Sequence, residues 1–256
     1  MTDPFPGWVE ALEARHTASL TFTEVRKALQ ALSSVYVQQR SRLAAGEALG
    51  SAGKRAAFAL FYGPLHFLLV REIVRALDAA QPAPQTILDL GCGTGVAGAA
   101  WALGAGGRAT VEGVDRNGWA VDEARFTFGR LGLRGRARRA DLADAALPGR
   151  RGAIVAALTV NELPDDAREA LLRRLLEAHG AGASVLVVEP IARGVTPWWA
   201  RWADAVTGAG GRVDEWRFPA GLPPRLALLD RAAGLDHREL TGRSTFLRGG
   251  SAGSRV

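Results

Sequence analysis

The stretch Thr86-Ile87-Leu88-Asp89-Leu90-Gly91-Cys92-Gly93-Thr94-Gly95 decides the reading of this chain. Its first half is short, apolar and β-prone, with one acid near its end. Three glycines follow at alternate positions. Then comes Val96-Ala97-Gly98-Ala99-Ala100-Trp101-Ala102-Leu103, which reads as a helix. Strand, glycine turn and helix are how open α/β sheets build a nucleotide site at the carboxyl end of a strand. Glycine reaches positive φ and lets backbone approach a ligand closely. The new helix turns its free N–H groups and positive dipole end toward that ligand.

Downstream the pattern is βαβα, which predicts a parallel sheet covered by helices on both faces. Thr110 to Asp115 reads as the second strand and Trp119 to Gly129 as its helix. Arg136 to Leu142 reads as a weak third strand, and Gly152 to Val160 as a buried fourth. Asp165 to His179 is an amphipathic helix, and Gly182 to Pro190 a fifth strand. A Trp-rich helix is expected over Pro197 to Val206, irregular chain over Thr207 to Gly221, and a helix over Pro223 to Ala233. Asp236 to Leu240 and Ser244 to Arg248, joined by Thr241-Gly242-Arg243, read as a terminal hairpin.

Upstream, residues 1 to about 80 look helical. Phe22 to Tyr36 puts Val25, Leu29, Leu32 and Val35 on one face. Arg40 to Gly53 is looser. Phe58 to Leu77 resumes as a helix interrupted at Gly63-Pro64. Gln81-Pro82-Ala83-Pro84 is a boundary, because proline ends helices and biases its neighbour toward extended chain. The organisation expected is a helical cap over 1–83, a nucleotide-binding domain over 84–249 and a flexible tail over 250–256.

The ligand class follows from charge. A dinucleotide fingerprint sets its glycines directly after an apolar strand and leaves room for a pyrophosphate. Here Asp89 stands two residues before Gly91 and would repel one. S-adenosylmethionine carries no phosphate; it has a cationic sulfonium, an α-amino group and an α-carboxylate. An acid beside the turn can serve the cationic end while turn N–H groups serve the carboxylate.

On these residues the chain resembles the class I S-adenosylmethionine-dependent methyltransferases. Leu88 to Gly95 matches their first motif, Asp115 falls where that family places an acid on the ribose hydroxyls, and Asp141-Leu142 falls where it contacts adenine. The resemblance implies a Rossmann-like, mostly parallel seven-stranded sheet ending in an antiparallel hairpin. It implies S-adenosylmethionine as cofactor, held by Asp89, Gly91, Cys92, Gly93, Thr94, Gly95, Asp115, Arg116, Asp141 and Leu142, with Tyr62 reaching in from the helical segment. Plainer readings exist: Asp115 as the start of a turn with Arg116-Asn117-Gly118, and Asp141 as a solvated loop acid. Cys92 reads as a tolerated small residue, not a nucleophile.

The acceptor is expected beyond the fourth strand, at Asn161-Glu162-Leu163-Pro164. Asn161 can orient an amine, amide or base edge, and Glu162 can act as base or bind a cation. The same four residues also make an ordinary helix entry, with Asp165-Asp166 matched to the dipole. The Asn-Pro-Pro-aromatic signature of many amino-group methyltransferases is absent, which puts methylation of a flipped base in doubt.

A narrower resemblance is to the small-ribosomal-subunit methyltransferase-like family of bacteria and mitochondria. It rests on Leu29 to Tyr36, on Ala56, Phe58, Tyr62 and Pro64, on Val160-Asn161-Glu162-Leu163, and on Val188-Glu189-Pro190. It implies small-subunit RNA, or its assembly intermediate, as partner. Many members hold an iron–sulfur cluster; with Cys92 the single cysteine, that cluster does not carry over.

Composition sets the outer bounds. At 48% hydrophobic residues the chain can bury a real core, and its net charge is +6. Only Lys27 and Lys54 are lysines, so nearly all basic charge is arginine. That reflects GC-rich coding or an anionic partner such as RNA. Arg130, Arg134, Arg136, Arg138, Arg139, Arg150 and Arg151 flank the weak third strand, as a phosphate-facing edge or as a solvated edge blunted by charge. Trp198 and Trp202 share a helical face, more in keeping with packing than with base stacking. The scattered histidines lack metal-ligand spacing. The first residues show no basic or apolar signal region, and the apolar run Ala56 to Val70 is shorter than the roughly 18–20 residues of a span. No membrane partner is expected, and the single cysteine points to a reducing cytosol.

The expected function is methyl transfer from S-adenosylmethionine to small-subunit RNA. The alternatives are a small-molecule methyltransferase and a non-catalytic assembly factor that keeps the fold.

Overall fold

The computed structural model describes residues 3–38, 49–191 and 198–250, with the side chains of 35–38 left aside. Val35 on the predicted helix face, Tyr36 at the helix end, most of the looser 40–53 stretch, Pro197 and the tail at 251–256 lie outside the described residues or side chains.

The sheet contains seven strands: β1 (Thr86–Leu90), β2 (Thr110–Asp115), β3 (Gly135–Arg139), β4 (Gly152–Ala157), β5 (Ser184–Glu189), β6 (Arg212–Pro219) and β7 (Glu239–Leu247). Their spatial order is β3-β2-β1-β4-β5-β7-β6. All neighbours from β3 to β5 pair in parallel; β7 runs antiparallel to both β5 and β6. The strand order reverses between β1 and β4, the switch point where open α/β sheets leave a crevice at the strands' carboxyl ends. This is the Rossmann-like fold of class I methyltransferases, with its antiparallel terminal pair and a helical N-terminal segment.

Alternate strand residues feed two cores, as the period-two pleat requires. Ile87, Val111, Ala153, Val155, Leu186 and Val188 enter one. Leu88, Leu90, Val114, Ile154, Ala156, Val185 and Val187 enter the other. The first core is closed by α1 (Phe5–His16), α2 (Phe22–Gln38), α3 (Ala52–Ala57), α4 (Gly63–Ala76), α5 (Val96–Gly104), α6 (Gly118–Arg130) and α9 (Pro224–Ala232). The second is closed by α7 (Asp165–Gly180) and α8 (Trp199–Gly208). The N-terminal helices thus share a core with the sheet. Phe5 and Trp8 of α1 meet the Phe67 ring of α4 at 5.0 and 5.5 Å. Buried Glu123 of α6 takes Arg15 at 2.8 Å and His16 at 2.9 Å. Burial pushes that carboxyl up, but the hydrogen bonds from His16 and Arg15 prevail and hold it below its ordinary value.

Two expectations are corrected. The terminal antiparallel pair is not a tight hairpin within 236–248. Residues 239–247 form one strand, and its partner is β6, where irregular chain was expected. Thr241-Gly242-Arg243 resembles a turn, but Gly242 is extended; a Cβ there would stand 3.2 Å from Leu69 Cδ2. Its glycine serves close approach of α4. β6 escapes notice because it is an edge strand whose charged and apolar residues blur the alternation.

The second correction concerns Gly63-Pro64. The helix is continuous from Ala52 to Ala76, and the disturbance is absorbed by a π-helical turn at Phe58–Tyr62, where Gly63 N–H donates to the Phe58 carbonyl. Proline at the second position of α4 has no N–H to offer the preceding turn, so the wider turn falls just ahead of it. By length and composition this helix is apolar enough to cross a membrane, longer than the run read from sequence, yet 67% of that window is buried inside the protein.

Candidate active site

A cavity of about 790 Å³ opens at the carboxyl ends of β1, β2, β4 and β5. Its floor is the glycine turn. Gly91 lies at φ +63°, and a Cβ there would stand 2.0 Å from Thr159 Oγ1, which donates to the Gly91 carbonyl at 3.2 Å. Gly93, at φ +50°, has nothing within 4 Å of an added Cβ, so its backbone faces open space. Its N–H donates to Asp115 Oδ2 at 2.9 Å, and Asn117 N–H donates to Oδ1 at 2.7 Å. Asp115 therefore ties the turn to the end of β2. Leu158, past the end of β4, is held at φ +58°, a costly state for a branched residue and one that clusters at functional sites.

Asp89, Gly91, Cys92, Gly93, Thr94, Asp115, Arg116, Tyr62, Asn161 and Glu162 all line the cavity. Gly95, Asp141 and Leu142 do not. Gly95 caps α5 on the far side of the turn, where the Phe128 ring would meet its Cβ at 2.8 Å. Asp141 caps a short 3-10 turn by accepting from Ala143 N–H at 2.9 Å, and faces Arg116 at 3.6 Å. Leu142 packs into the second core, and its carbonyl accepts from Arg174 at 3.2 Å. β3 ends at Arg139, and the chain then enters the 3-10 turn that Asp141 caps and Leu142 begins. Asp89 also differs from expectation: it is 1% exposed, and its Oδ2 accepts from Gly98 N–H at 2.8 Å, holding α5 against β1. Cys92 is buried against Gly113, and burial raises its thiol well above the ordinary range, so it is no nucleophile.

Several lining residues went unread in the sequence. The π turn and α4 supply Phe58 and His66 beside the expected Tyr62, and Gly63 brings that helix against the glycine turn, 3.3 Å from Thr94 Oγ1 for an added Cβ. Burial, then His237, lowers His66 to about 4, leaving a neutral imidazole beside the Phe58 and Tyr62 rings. Burial raises Tyr62, opposed by a hydrogen bond with Ser33. Glu189, the last residue of β5, was quoted only for its resemblance; an acid ending an otherwise apolar strand is the signal that could have found it.

The wall is acidic. Burial pushes Asp89 up to about 7 against the Gly98 hydrogen bond, with Asp115 adding to the rise. Burial pushes Glu189 up to about 8 against the N–H groups of Asn161 and Val160. Glu162 remains open to solvent on its cavity side, yet the protein mass behind it and then Asp115 raise it to about 7, with Arg116 opposing. Acids with raised native pKa hold protons that the unfolded chain has released, so their contribution to stability falls as pH rises. The lowered His66 acts in the opposite sense, but only below its ordinary value of 6.5. The melting temperature is expected to fall between about pH 6.5 and about pH 8.5, and to fall less in Glu189→Gln. Thermal denaturation across that window checks this; a rise would contradict it.

Residues 87–180, from β1 through α7, match the family model described as a methyltransferase domain. A putative O-methyltransferase from Nostoc punctiforme superposes with a TM-score of 0.52 at 14% identity, over 74% of this chain and 59% of that one. Magnesium protoporphyrin IX methyltransferase from Synechocystis, crystallised with S-adenosylhomocysteine, gives 0.49 at 17% identity, over 72% and 84%. A putative RNA methyltransferase from Pyrococcus horikoshii gives 0.47 at 13%, over 73% and 85%. No curated protein matches the chain, and the narrower resemblance to the small-ribosomal-subunit family finds no support in these comparisons. Residues 87–180 thus match a methyltransferase domain, and the chain shares the fold of class I methyltransferases.

Proposed function

We propose that this chain is a methyltransferase that uses S-adenosylmethionine and acts on RNA, with RNA of the small ribosomal subunit or its assembly intermediate as the substrate to test first. The cofactor is S-adenosylmethionine, which supplies an electrophilic methyl group. The residues fit it. Gly93 leaves open backbone at the cavity floor, Asp115 offers carboxylate oxygens suited to a vicinal diol, and acids without a phosphate-binding partner suit a cationic ligand. Asn161 and Glu162 stand in the same wall as candidates to orient the acceptor and take its proton.

The observation that carries the RNA reading is the arginine edge. β3 is the outermost parallel strand, and Arg134, Arg136 and Arg138 are exposed along it. Arg139 at its end and Arg116 beside it already line the cavity. Arg136 is engaged by Glu112 at 2.6 Å, but Arg130 and Arg138 lie exposed around the same edge, whereas Arg150 sits beside Gly182 at the start of β4. Such a row would contact phosphates and leave base selection to the cavity. Replacing Arg130 and Arg138 together by Ala is expected to weaken RNA binding and to reduce the log affinity–log salt slope by about 1.4, at about 0.7 per single-strand phosphate contact. Fluorescence anisotropy with small-subunit RNA from 50 to about 300 mM salt reads this; an unchanged slope contradicts it.

A second reading is a small-molecule acceptor. It is favoured by the aromatic wall of Phe58, Tyr62 and Trp119, which encloses a space of drug-ligand size. Salt-independent methyl transfer to a low-mass fraction would select it.

A further inference from the structure

Glu189 is fully buried, at 0% exposure, yet it forms part of the cavity wall. Its Oε1 accepts from Val160 N–H at 2.9 Å and from Asn161 N–H at 3.3 Å, which fixes the loop that carries Asn161 and Glu162. Its Oε2 is buried with no hydrogen-bond partner among the described residues. A buried carboxyl oxygen left unpaired costs its full desolvation, so a fold that keeps one has a reason outside the protein's own hydrogen bonding. The charged groups around it do not supply that reason. Glu162 repels it, and Arg243, its register partner on β7, lies over the Trp199 ring at 4.3 Å. His66, in the same wall, is neutral.

We propose that Glu189, together with Glu162, is the acceptor-binding pair of this site, and that the acceptor atom is a nitrogen bearing hydrogen, such as an amine or a nucleobase N–H, which donates to Glu189 Oε2. This rests on the cofactor assignment above. A carboxylate acceptor carries no hydrogen to donate to Oε2, and the C–H of a carbon acceptor is not a hydrogen-bond donor. A nitrogen gains positive charge as it is alkylated, and two carboxyls stabilise that charge in a water-poor wall. When the bound cofactor supplies its methyl, the nitrogen lone pair forms the N–C bond, the pair of the broken C–S bond stays on sulfur, and the displaced N–H proton goes to Glu189. A cationic cofactor in the same cavity favours the ionised carboxylate that this requires.

The test reads binding as well as transfer. Sinefungin, an analogue in which a carbon bearing a primary amine replaces the methylsulfonium, presents a nitrogen donor on the acceptor side. In calorimetry the wild-type protein is expected to bind it about tenfold more tightly than S-adenosylhomocysteine. In Glu189→Gln the carboxamide keeps Oε1 for the loop and sets a donor against the amine. The preference should fall to about one while affinity for S-adenosylhomocysteine stays within about twofold. Glu162→Gln, exposed at the cavity and independent of the loop clamp, should lower the preference about threefold. Equal wild-type affinities, or a preference that survives in both variants, overturn the proposal. If neither ligand binds the wild-type protein, the cofactor assignment fails and the proposal falls with it, an outcome distinct from binding without preference. In parallel, methyl-labelled cofactor is incubated with whole extract from a deletion strain. Label recovered on nitrogen is expected; label on oxygen or carbon overturns the assignment.

Discussion

An Asp115→Ala variant is expected to lose about a hundredfold or more in affinity for S-adenosylmethionine, about 2.7 kcal/mol. Two losses combine. The carboxylate that suits the ribose hydroxyls disappears, and Gly93 N–H and Asn117 N–H lose their acceptors, which sit at 2.9 and 2.7 Å. The glycine turn is then no longer tied to the end of β2. S-adenosylhomocysteine should weaken in parallel, because the two ligands share the ribose and differ at sulfur. Asp115→Asn keeps one acceptor oxygen for the backbone and should fall between wild type and Ala. Unchanged affinity in Asp115→Ala, measured by calorimetry, would remove Asp115 from the site.

The second large effect is expected from a single methyl group. Gly91→Ala forces a residue with Cβ into φ +63° and sets that Cβ 2.0 Å from Thr159 Oγ1. The left-handed backbone costs about 1–2 kcal/mol, and overpacking about 1–3 kcal/mol. At about 2–4 °C per kcal/mol for a chain of this size, the melting temperature should drop by roughly 4–20 °C. The Thr159–Gly91 hydrogen bond joins the turn to the β4 end, so cofactor affinity should fall as well. Thr159→Ala removes the Oγ1 and Cγ2 contacts but leaves its Cβ at 2.9 Å, so the double variant should recover part of the loss. A Gly91→Ala protein as stable as wild type would contradict the packing described for the turn.

Both effects fall on residues that local sequence already exposes. The β1–turn–α5 unit is legible because glycine spacing, an apolar strand and a helix entry are all local signals that agree. β1, β4 and β5 are legible because their apolar runs are buried on both faces. What local reasoning misses depends on tertiary neighbours. Gly242 looks like a turn glycine until Leu69 is found packed against it. β6 looks irregular because an edge strand carries its charges on the solvent side. Asp141 and Leu142 fall outside the strand, in a 3-10 turn, because pairing of β3 with β2 stops at Arg139.

The cavity wall beyond the glycine turn is the least legible part. Phe58, Tyr62 and His66 reach it through a π turn whose position depends on Pro64 and on contact with Thr94. Glu189 reaches it from the far end of β5, and its unpaired Oε2 is visible only once the fold is assembled. Trp198, Trp199 and Trp202 illustrate the converse: a conspicuous aromatic cluster proves to be buried in the second core.

The central claim is that the cavity over the glycine turn is a cofactor site for S-adenosylmethionine. Titration calorimetry of the purified protein tests it most directly, with wild type and Asp115→Ala in parallel and nicotinamide adenine dinucleotide as the comparison ligand. The account predicts saturable one-to-one binding of S-adenosylmethionine to wild type, displacement by S-adenosylhomocysteine, loss in Asp115→Ala and no binding of the dinucleotide, whose pyrophosphate meets an acidic wall. Absence of saturable binding, or preference for the dinucleotide, would contradict it.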